Sequence, residues 1–146
     1  MKKWLSIFVV LQLSISACTQ HRKIEKPASA GISTLAGSWK LFSLTAPGKN
    51  FDTLFPTKKP NLPLDLMNHK INGNAGCNSY WGKFSGDEVN IRFEEPIAST
   101  RMMCADGIHG EQIYFEVLKK VNHYSVQNDT LELMEDNTNV MLFIKN

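Results

Sequence analysis

Three cysteines are the residues of this 146-residue chain best suited to chemistry. Cys18 lies near the N-terminus, Cys77 lies in the segment INGNAGCNSYWGKF, and Cys104 follows ASTRMM. A thiolate can act as a nucleophile when a histidine beside it accepts its proton, and it can also bind zinc or form a disulfide. Cys77 is therefore a candidate nucleophile, metal ligand or disulfide partner.

The histidines do not favour catalysis or metal binding at Cys77. A thiol hydrolase needs a histidine and an orienting third group beside its cysteine, and the spacing of His69, His109 and His123 suggests no such triad. A metal site could combine Cys77, Cys104 and His109. Structural zinc takes four ligands, however, and the usual Cys-x-x-Cys clamp is missing from the sequence. We expect the histidines to be solvated or turn residues.

Paired carboxylates occur three times, each beside a predicted turn or strand end. The pairs are Asp87-Glu88, Glu94-Glu95 and Glu135-Asp136. Acids at such positions are normally solvated, whereas a glycosidase needs one carboxyl group whose pKa is raised by its surroundings. We therefore expect a protein that is not an enzyme and that holds no cofactor and no metal.

The N-terminus has the order of a secretory signal. The segment MKKWLSIFVVLQLSISAC begins with two lysines, continues with an apolar run and ends in small residues before Cys18. The run is shorter than the roughly 20 residues that cross a bilayer as a helix, so we expect residues 1–17 to be removed. The ending ISAC also resembles the lipobox of bacterial lipoproteins, whose cysteine receives acyl chains such as palmitate. Thr19 is not the Asp of an inner-membrane retention signal, which favours the outer membrane.

The chain that follows this signal is predicted to be almost neutral. The whole sequence has 16 Lys and Arg against 14 Asp and Glu, and removal of Lys2 and Lys3 leaves 14 of each sign. A basic surface that could bind nucleic acid is therefore not expected. Residues 18–34 have the composition of a lipidated N-terminus and flexible tether. Residues 35–146 suit one domain with one core.

Assignment of Cys18 to lipid leaves an even pair of cysteines. An exported protein occupies a compartment that permits disulfides, so Cys77 and Cys104 are expected to pair. A disulfide that closes a loop of about 28 residues restricts the unfolded chain by about 3.5 kcal/mol, on the loop-entropy treatment. The predicted disulfide is therefore an important part of the stability of a small domain.

Alternating apolar residues predict a sheet of short antiparallel strands. In GSWKLFSL, Trp39 and Leu41 point to one face, and Lys40 and Phe42 point to the other. Similar alternation recurs along the chain, with turns such as Asn128-Asp129 between the segments NLPLDLM, YWGKF, VNIRF, HYSVQ, TLELME and NVMLFIK. Residues 45–60 are broken by prolines and are expected to form a loop.

One segment has helical spacing instead. Residues 107–121 place Tyr114, Val117, Leu118 and Val121 at helical spacing, and Asp106 can cap the start of this helix. The order of elements is several strands, one helix and then two or three strands. This order predicts an α+β fold, with a mostly antiparallel, strongly curved or barrel-like sheet and one helix at about 107–121.

The chain resembles the META domain, or HslJ-like, family in the order and spacing of the segments GSWKL, GNAGCNSYWGKF, ASTRMMC and LELM followed by NVMLFIK. The resemblance covers nearly all of residues 35–146. It implies a small β-rich domain with one helix, often carried by bacterial lipoproteins and linked to heat shock or drug resistance, without an established reaction. The positions that match the family motif are Gly76, Cys77, Asn78, Thr100, Cys104 and Glu111.

The residues beside Cys77 are expected to shape the chain there. Gly76 tolerates a positive φ and a close approach of backbone. The Asn78 side chain can bond to nearby backbone and hold a sharp turn. The sequence Gly-Cys-Asn is therefore interpreted as a corner that a disulfide ties to the strand before the helix.

Trp81 and Arg101 are candidates for a partner surface. Strand alternation sends Tyr80 and Phe84 to one face and Trp81 to the other. Trp81 is then either a core residue or an exposed anchor for a partner. Arg101 lies either on a solvated face or at a contact with an acidic partner or a lipid headgroup.

We therefore expect a non-catalytic envelope lipoprotein that is held at the membrane through lipid on Cys18. Its domain is expected to bind an envelope protein or a small ligand, with a role in envelope stress or drug tolerance. Two alternatives remain. One is an envelope enzyme with Cys77 as its nucleophile. The other is a lipocalin-like carrier of a small apolar ligand, which depends on whether Phe42, Leu64 and Ile91 fill or line the interior.

Overall fold

The protein is described by a computed structural model that covers residues 31–104 and 109–146. Cys18 and residues 1–30, including most of the predicted tether, lie outside the described residues, as does the predicted cap Asp106. Eight strands are present in the described part, and in chain order they are β1 (Gly37–Leu44), β2 (Asn61–Asp65), β3 (Lys70–Asn74), β4 (Ser79–Gly86), β5 (Ile91–Ser99), β6 (His123–Gln127), β7 (Thr130–Glu135) and β8 (Thr138–Lys145).

All neighbouring strands pair antiparallel in one sheet, in the order β5-β4-β3-β2-β1-β8-β7-β6. The two edge strands meet at one end, where Asn90 and His123 form an isolated bridge. Backbone bonds from Ile91 N–H to the Asn122 carbonyl (3.2 Å) and from Tyr124 N–H to the Val89 carbonyl (3.1 Å) flank that bridge. Beyond it the sheet is not closed. The prediction of an α+β fold with a strongly curved antiparallel sheet is confirmed.

The predicted helix is confirmed as α2 (His109–Leu118), which ends three residues earlier than expected. Tyr114 and Leu118 are buried on the side of α2 that faces the sheet. Val121 is buried as predicted, but it lies beyond the end of the helix. The buried side chains of α2 therefore belong to the same core as those of the strands.

Two short helical segments were not expected from the sequence. A 3-10 helix spans Ile32–Leu35, at the end of the predicted tether, and α1 spans Phe51–Leu54 inside the predicted loop. The side chain of Asn50 caps α1 by accepting hydrogen bonds from the N–H groups of Asp52 (2.9 Å) and Thr53 (3.2 Å). The loop prediction is therefore wrong for these four residues.

The predicted alternation of β1 is confirmed, because Trp39 and Leu41 are buried whereas Lys40 and Phe42 are exposed. The Trp39 indole N–H donates to the carbonyl of Leu35 at 2.9 Å, which joins the 3-10 helix to the core. Phe42 therefore neither fills nor lines the interior, in contrast to the buried Leu64 and Ile91.

The concave side of the sheet is filled by a single cluster of buried apolar side chains, to which α2 also contributes. The carrier hypothesis requires an open interior, and the packing of the described residues does not provide one. None of the helices in residues 31–104 and 109–146 has both the length and the apolar character needed to cross a bilayer.

Candidate functional site

Cys77 and Cys104 form a disulfide, as the cysteine count predicts, with their Cα atoms 6.0 Å apart. Cys77 follows β3 and Cys104 follows β5, so the bond ties together the chain on either side of β4. A nucleophile at Cys77 and a metal site with Cys77, Cys104 and His109 both require free thiolates, which the disulfide does not supply. No group of three metal-binding side chains occurs among residues 31–104 and 109–146.

The remaining positions of the family motif surround this disulfide. The side-chain oxygen of Asn78 accepts hydrogen bonds from the Thr100 hydroxyl and from the Met102 N–H, both at 2.8 Å. The backbone N–H of Asn78 donates to Oε2 of Glu111 at 3.2 Å. Residues far apart in the sequence thus form one connected cluster, with Asn78 at its centre.

Asn78 has a different role from the predicted one. Its side chain was expected to hold the local turn, but it bonds to the segment that follows β5. The local turn is held by Asn74, whose side chain accepts from the Gly76 N–H (3.0 Å) and donates to the Cys77 carbonyl (2.9 Å). Both asparagines have the same hydrogen-bonding groups, and the fold decides which one reaches each partner.

Gly76 has the expected positive φ, at +104°. A Cβ atom there would also lie 2.9 Å from the Phe55 ring. A second glycine, Gly110, allows α1 and α2 to approach, because a Cβ there would overlap the Leu54 carbonyl oxygen. These two glycines bring the end of α1 against the disulfide corner and the start of α2.

A cavity of about 220 Å³ lies where these elements meet, and it is referred to below as the Glu111 pocket. Its walls include apolar side chains and the disulfide, namely Leu54, Phe55, Ala75, Cys77 and Cys104. Glu111 also lines the cavity, and this residue is only 9% exposed. The cavity therefore combines an apolar wall with a buried carboxyl group.

The first turn of α2 places Glu111 at this position. Acidic side chains in the first turn of a helix are stabilised by the positive end of the helix dipole. The carboxyl group also accepts the Asn78 N–H. No lysine or arginine of the described residues lies within ion-pair distance of Glu111.

Tyr80 and Tyr114 join α2 to β4 in the core beside this pocket. Their hydroxyl oxygens are 2.9 Å apart, and the Tyr80 hydroxyl also donates to the Asn61 carbonyl at 2.9 Å. Burial raises the pKa of Tyr80, and the hydrogen bond with Tyr114 opposes that increase in part. Burial also raises the pKa of Tyr114. Helical spacing placed Tyr114 on the apolar face of the predicted helix and alternation placed Tyr80 opposite Trp81, but no pattern in the sequence indicated their hydroxyl pair.

Trp81 is exposed rather than part of the core, because 51% of its surface is accessible, whereas Tyr80 and Phe84 are buried. It lies on the convex face, opposite Asn72 of β3 and Ala98 of β5. A groove of about 580 Å³ beside it is referred to below as the Trp81 groove. Apolar, polar and charged residues line this groove together with Trp81, namely Ile71, Asn72, Gly82, Pro96 and Ala98 with Lys70, Lys83, Glu94 and Glu95.

Arg101 is exposed, on the segment that follows β5, and it does not line the Trp81 groove. The neighbouring Met102 and Met103 are exposed as well. The two candidates for a partner surface, Trp81 and Arg101, therefore do not share one cavity.

Comparisons with known proteins agree with this fold. A family model described as the META domain matches residues 33–146. An NMR structure of a protein from Burkholderia xenovorans has 23% sequence identity and a TM-score of 0.58, covering 78% of this chain and 85% of that one. A crystal structure of a DUF4847 family protein from Bacteroides vulgatus has 12% identity and a TM-score of 0.53, covering 77% of this chain and 94% of that one. No curated protein matches the chain.

Proposed function

The chain belongs to the META domain family, and on that premise we propose that it is a non-catalytic binding domain of the bacterial cell envelope that recognises a protein partner through the Trp81 groove. Lipid on Cys18 would hold the domain at the membrane, with the predicted tether, residues 18–34, between the lipid and the domain. The role in envelope stress or drug tolerance that the family resemblance implies belongs to the same proposal.

The observation that carries this proposal is the exposed indole of Trp81 beside a groove lined by both apolar and charged residues. A tryptophan at the centre of an interface contributes more binding energy than most residues because it removes a large apolar surface from water. On this face the indole lies between strand neighbours with small or polar side chains, Asn72 and Ala98, which leave it accessible. The sheet thus presents an aromatic anchor on rigid strands.

The charges around the groove favour a protein partner over a purely apolar ligand. Lys70, Lys83 and Glu94 lie side by side across β3, β4 and β5. Rim charges of both signs are typical of protein interfaces, where they set orientation and partner choice. A small apolar ligand would gain nothing from them. We therefore favour a partner segment that carries charges of both signs next to an apolar side chain.

The envelope location is supported by two independent features. The N-terminal segment has the order of a secretory signal and ends in a lipobox-like sequence. The disulfide between Cys77 and Cys104 is a feature of proteins in oxidising compartments. The same disulfide supports the absence of thiol catalysis, since it occupies the sulfur of Cys77.

The test is crosslinking in intact cells, with a photoreactive amino acid at Lys83 on the rim of the groove. Captured proteins are identified by mass spectrometry, and the affinity of each purified candidate is measured by titration calorimetry. The expected result is one envelope partner whose affinity falls at least tenfold in Trp81→Ala, because hot-spot truncations cost about 2 kcal/mol or more.

The matched control is Phe42→Ala, which removes an exposed aromatic side chain (63% exposed) from a different strand of the same sheet. This variant should bind like the wild type. Equal affinities of Trp81→Ala and the wild type for every captured protein would refute the groove as the recognition surface.

A further inference from the structure

We propose that the Glu111 pocket is a second binding site, for the ammonium end of a short alkylamine, with the Glu111 carboxylate as its counter-ion. This site differs from the Trp81 groove and does not depend on the function proposed for it. The two cavities share no lining residue.

The carboxyl group is the feature that points to a cation. Glu111 is 9% exposed and lines the cavity. Among the described residues it accepts one hydrogen bond, from the Asn78 N–H to Oε2, and it makes no ion pair. A buried carboxylate is costly unless it is paired and fully hydrogen-bonded. A ligand ammonium group with three N–H donors would supply both the charge and the hydrogen bonds.

The walls select an alkyl chain behind that ammonium group. Leu54, Phe55 and Ala75 line the cavity, and the disulfide forms another part of its wall. Its volume of about 220 Å³ is below the range of about 300–1,000 Å³ for drug-sized ligands. Butylammonium has five heavy atoms, and at about 30 Å³ for each water-sized group it needs about 150 Å³. An aliphatic amine of this length therefore fits.

Other ligand classes fit the pocket less well. An anion would meet the carboxylate, and a neutral apolar molecule would bury that carboxylate without a partner. Calcium and magnesium ions take six or more oxygen ligands, zinc usually takes four ligands, and no group of three metal-binding side chains occurs among the described residues. Lys58 is exposed and also lines the cavity, so the loss of its positive charge should strengthen the binding of a cation.

The same ammonium chemistry occurs on free amines and on the lysine side chain of a peptide, and the test separates the two. Nitrogen-15 heteronuclear NMR spectra of the folded domain with its disulfide intact are recorded during titration with n-butylammonium chloride, with N-acetyl-lysine amide and with n-butanol. Binding of n-butylammonium should shift the amide signals of Gly76, Asn78 and Glu111. Binding of N-acetyl-lysine amide as well would assign the site to a lysine side chain, whereas butylammonium alone would assign it to free amines.

Three variants complete the test. Glu111→Gln, which keeps the shape and the acceptor for the Asn78 N–H, should weaken butylammonium binding at least tenfold. Glu116→Gln removes an exposed carboxylate from the same helix and should change nothing, whereas Lys58→Gln should strengthen binding. If Glu111→Gln fails to fold, two other comparisons test the proposal. One compares the butylammonium affinity of Lys58→Gln with that of the wild type, and the other compares the signal shifts caused by butylammonium with those caused by butanol.

Three results would overturn the proposal. The first is that neither amine shifts these signals. The second is that n-butanol shifts them as strongly as n-butylammonium does. The third is that a folded Glu111→Gln variant, or in its absence Lys58→Gln, binds butylammonium with the affinity of the wild type.

Discussion

The hydroxyl pair of Tyr80 and Tyr114 predicts that two chemically identical substitutions differ in cost. The Tyr80 hydroxyl has one proton, which it donates to the Asn61 carbonyl, so the Tyr114 hydroxyl must be the donor in the bond between the two tyrosines. Tyr114→Phe removes only the second bond and should lower the free energy of unfolding by about 1 kcal/mol, the net value of one hydrogen bond.

Tyr80→Phe should cost more. It removes both bonds, leaves the Asn61 carbonyl without this donor, and leaves the Tyr114 hydroxyl, on a residue of 0% exposure, without its partner. A buried polar group without a partner costs about 1–3 kcal/mol, so the total should be about 2–4 kcal/mol. The double variant should not exceed Tyr80→Phe, because it removes the stranded hydroxyl. Phenylalanine at either position preserves the ring contact with Phe115, so the two variants differ in the hydrogen bonds lost and not in packing.

The same pair predicts a loss of stability in alkali. The folded state raises the pKa of both tyrosines above the ordinary value of 10 by burying them. A raised pKa means that their contribution is fully present below pH 10 and is lost as the pH rises above it. Urea unfolding followed by circular dichroism at pH 7 and above pH 10 measures both effects. Equal costs of the two single variants, or equal alkaline loss in the wild type and the double variant, would refute this account of the hydroxyl pair.

Two further predictions concern the cysteines. The double variant Cys77→Ala, Cys104→Ala should lower the free energy of unfolding, measured by urea titration, by about 3.5 kcal/mol. Dithiothreitol should destabilise the wild type but not this variant. A wild type whose stability does not change with the reductant would contradict a stabilising role of the disulfide. Metabolic labelling with an alkyne analogue of palmitate should label the wild type, whereas the Cys18→Ser variant should carry no label. This variant should also leave the membrane, because each methylene of the lost acyl chains contributes about 0.8 kcal/mol to membrane binding. Label that persists in Cys18→Ser would place the lipid elsewhere.

Local patterns predicted the strands and the main helix well because they depend on backbone geometry. Alternation along β1 identified Trp39 and Leu41 as buried, since neighbouring side chains of a strand point to opposite faces. The pattern failed where a side chain decides the structure. Residues Phe51–Leu54 form α1 because Asn50 caps them, and prolines nearby obscured that signal.

The candidate sites show what periodicity leaves open. Alternation placed Trp81 and Tyr80 on opposite faces of the sheet. It did not indicate whether another part of the chain covers the convex face at Trp81. The structure leaves the Trp81 indole exposed above small neighbours. Similarly, the sequence suggested a turn held by Asn78, whereas Asn74 holds that turn. Two side chains with the same chemistry can be distinguished only by what the fold brings near them.

The sequence by itself predicted that Cys77 and Cys104 pair, because the proposed lipidation of Cys18 leaves two cysteines in a chain that is expected to be exported. It also determined the alternation of the strands and the helical face of Tyr114 and Leu118, both of which follow from local geometry. Only the tertiary structure decided that Glu111 meets Asn78, 33 residues earlier in the chain. It also decided that α1 completes the wall of the Glu111 pocket. Contacts over such separations arise from packing, on which local periodicity carries no information.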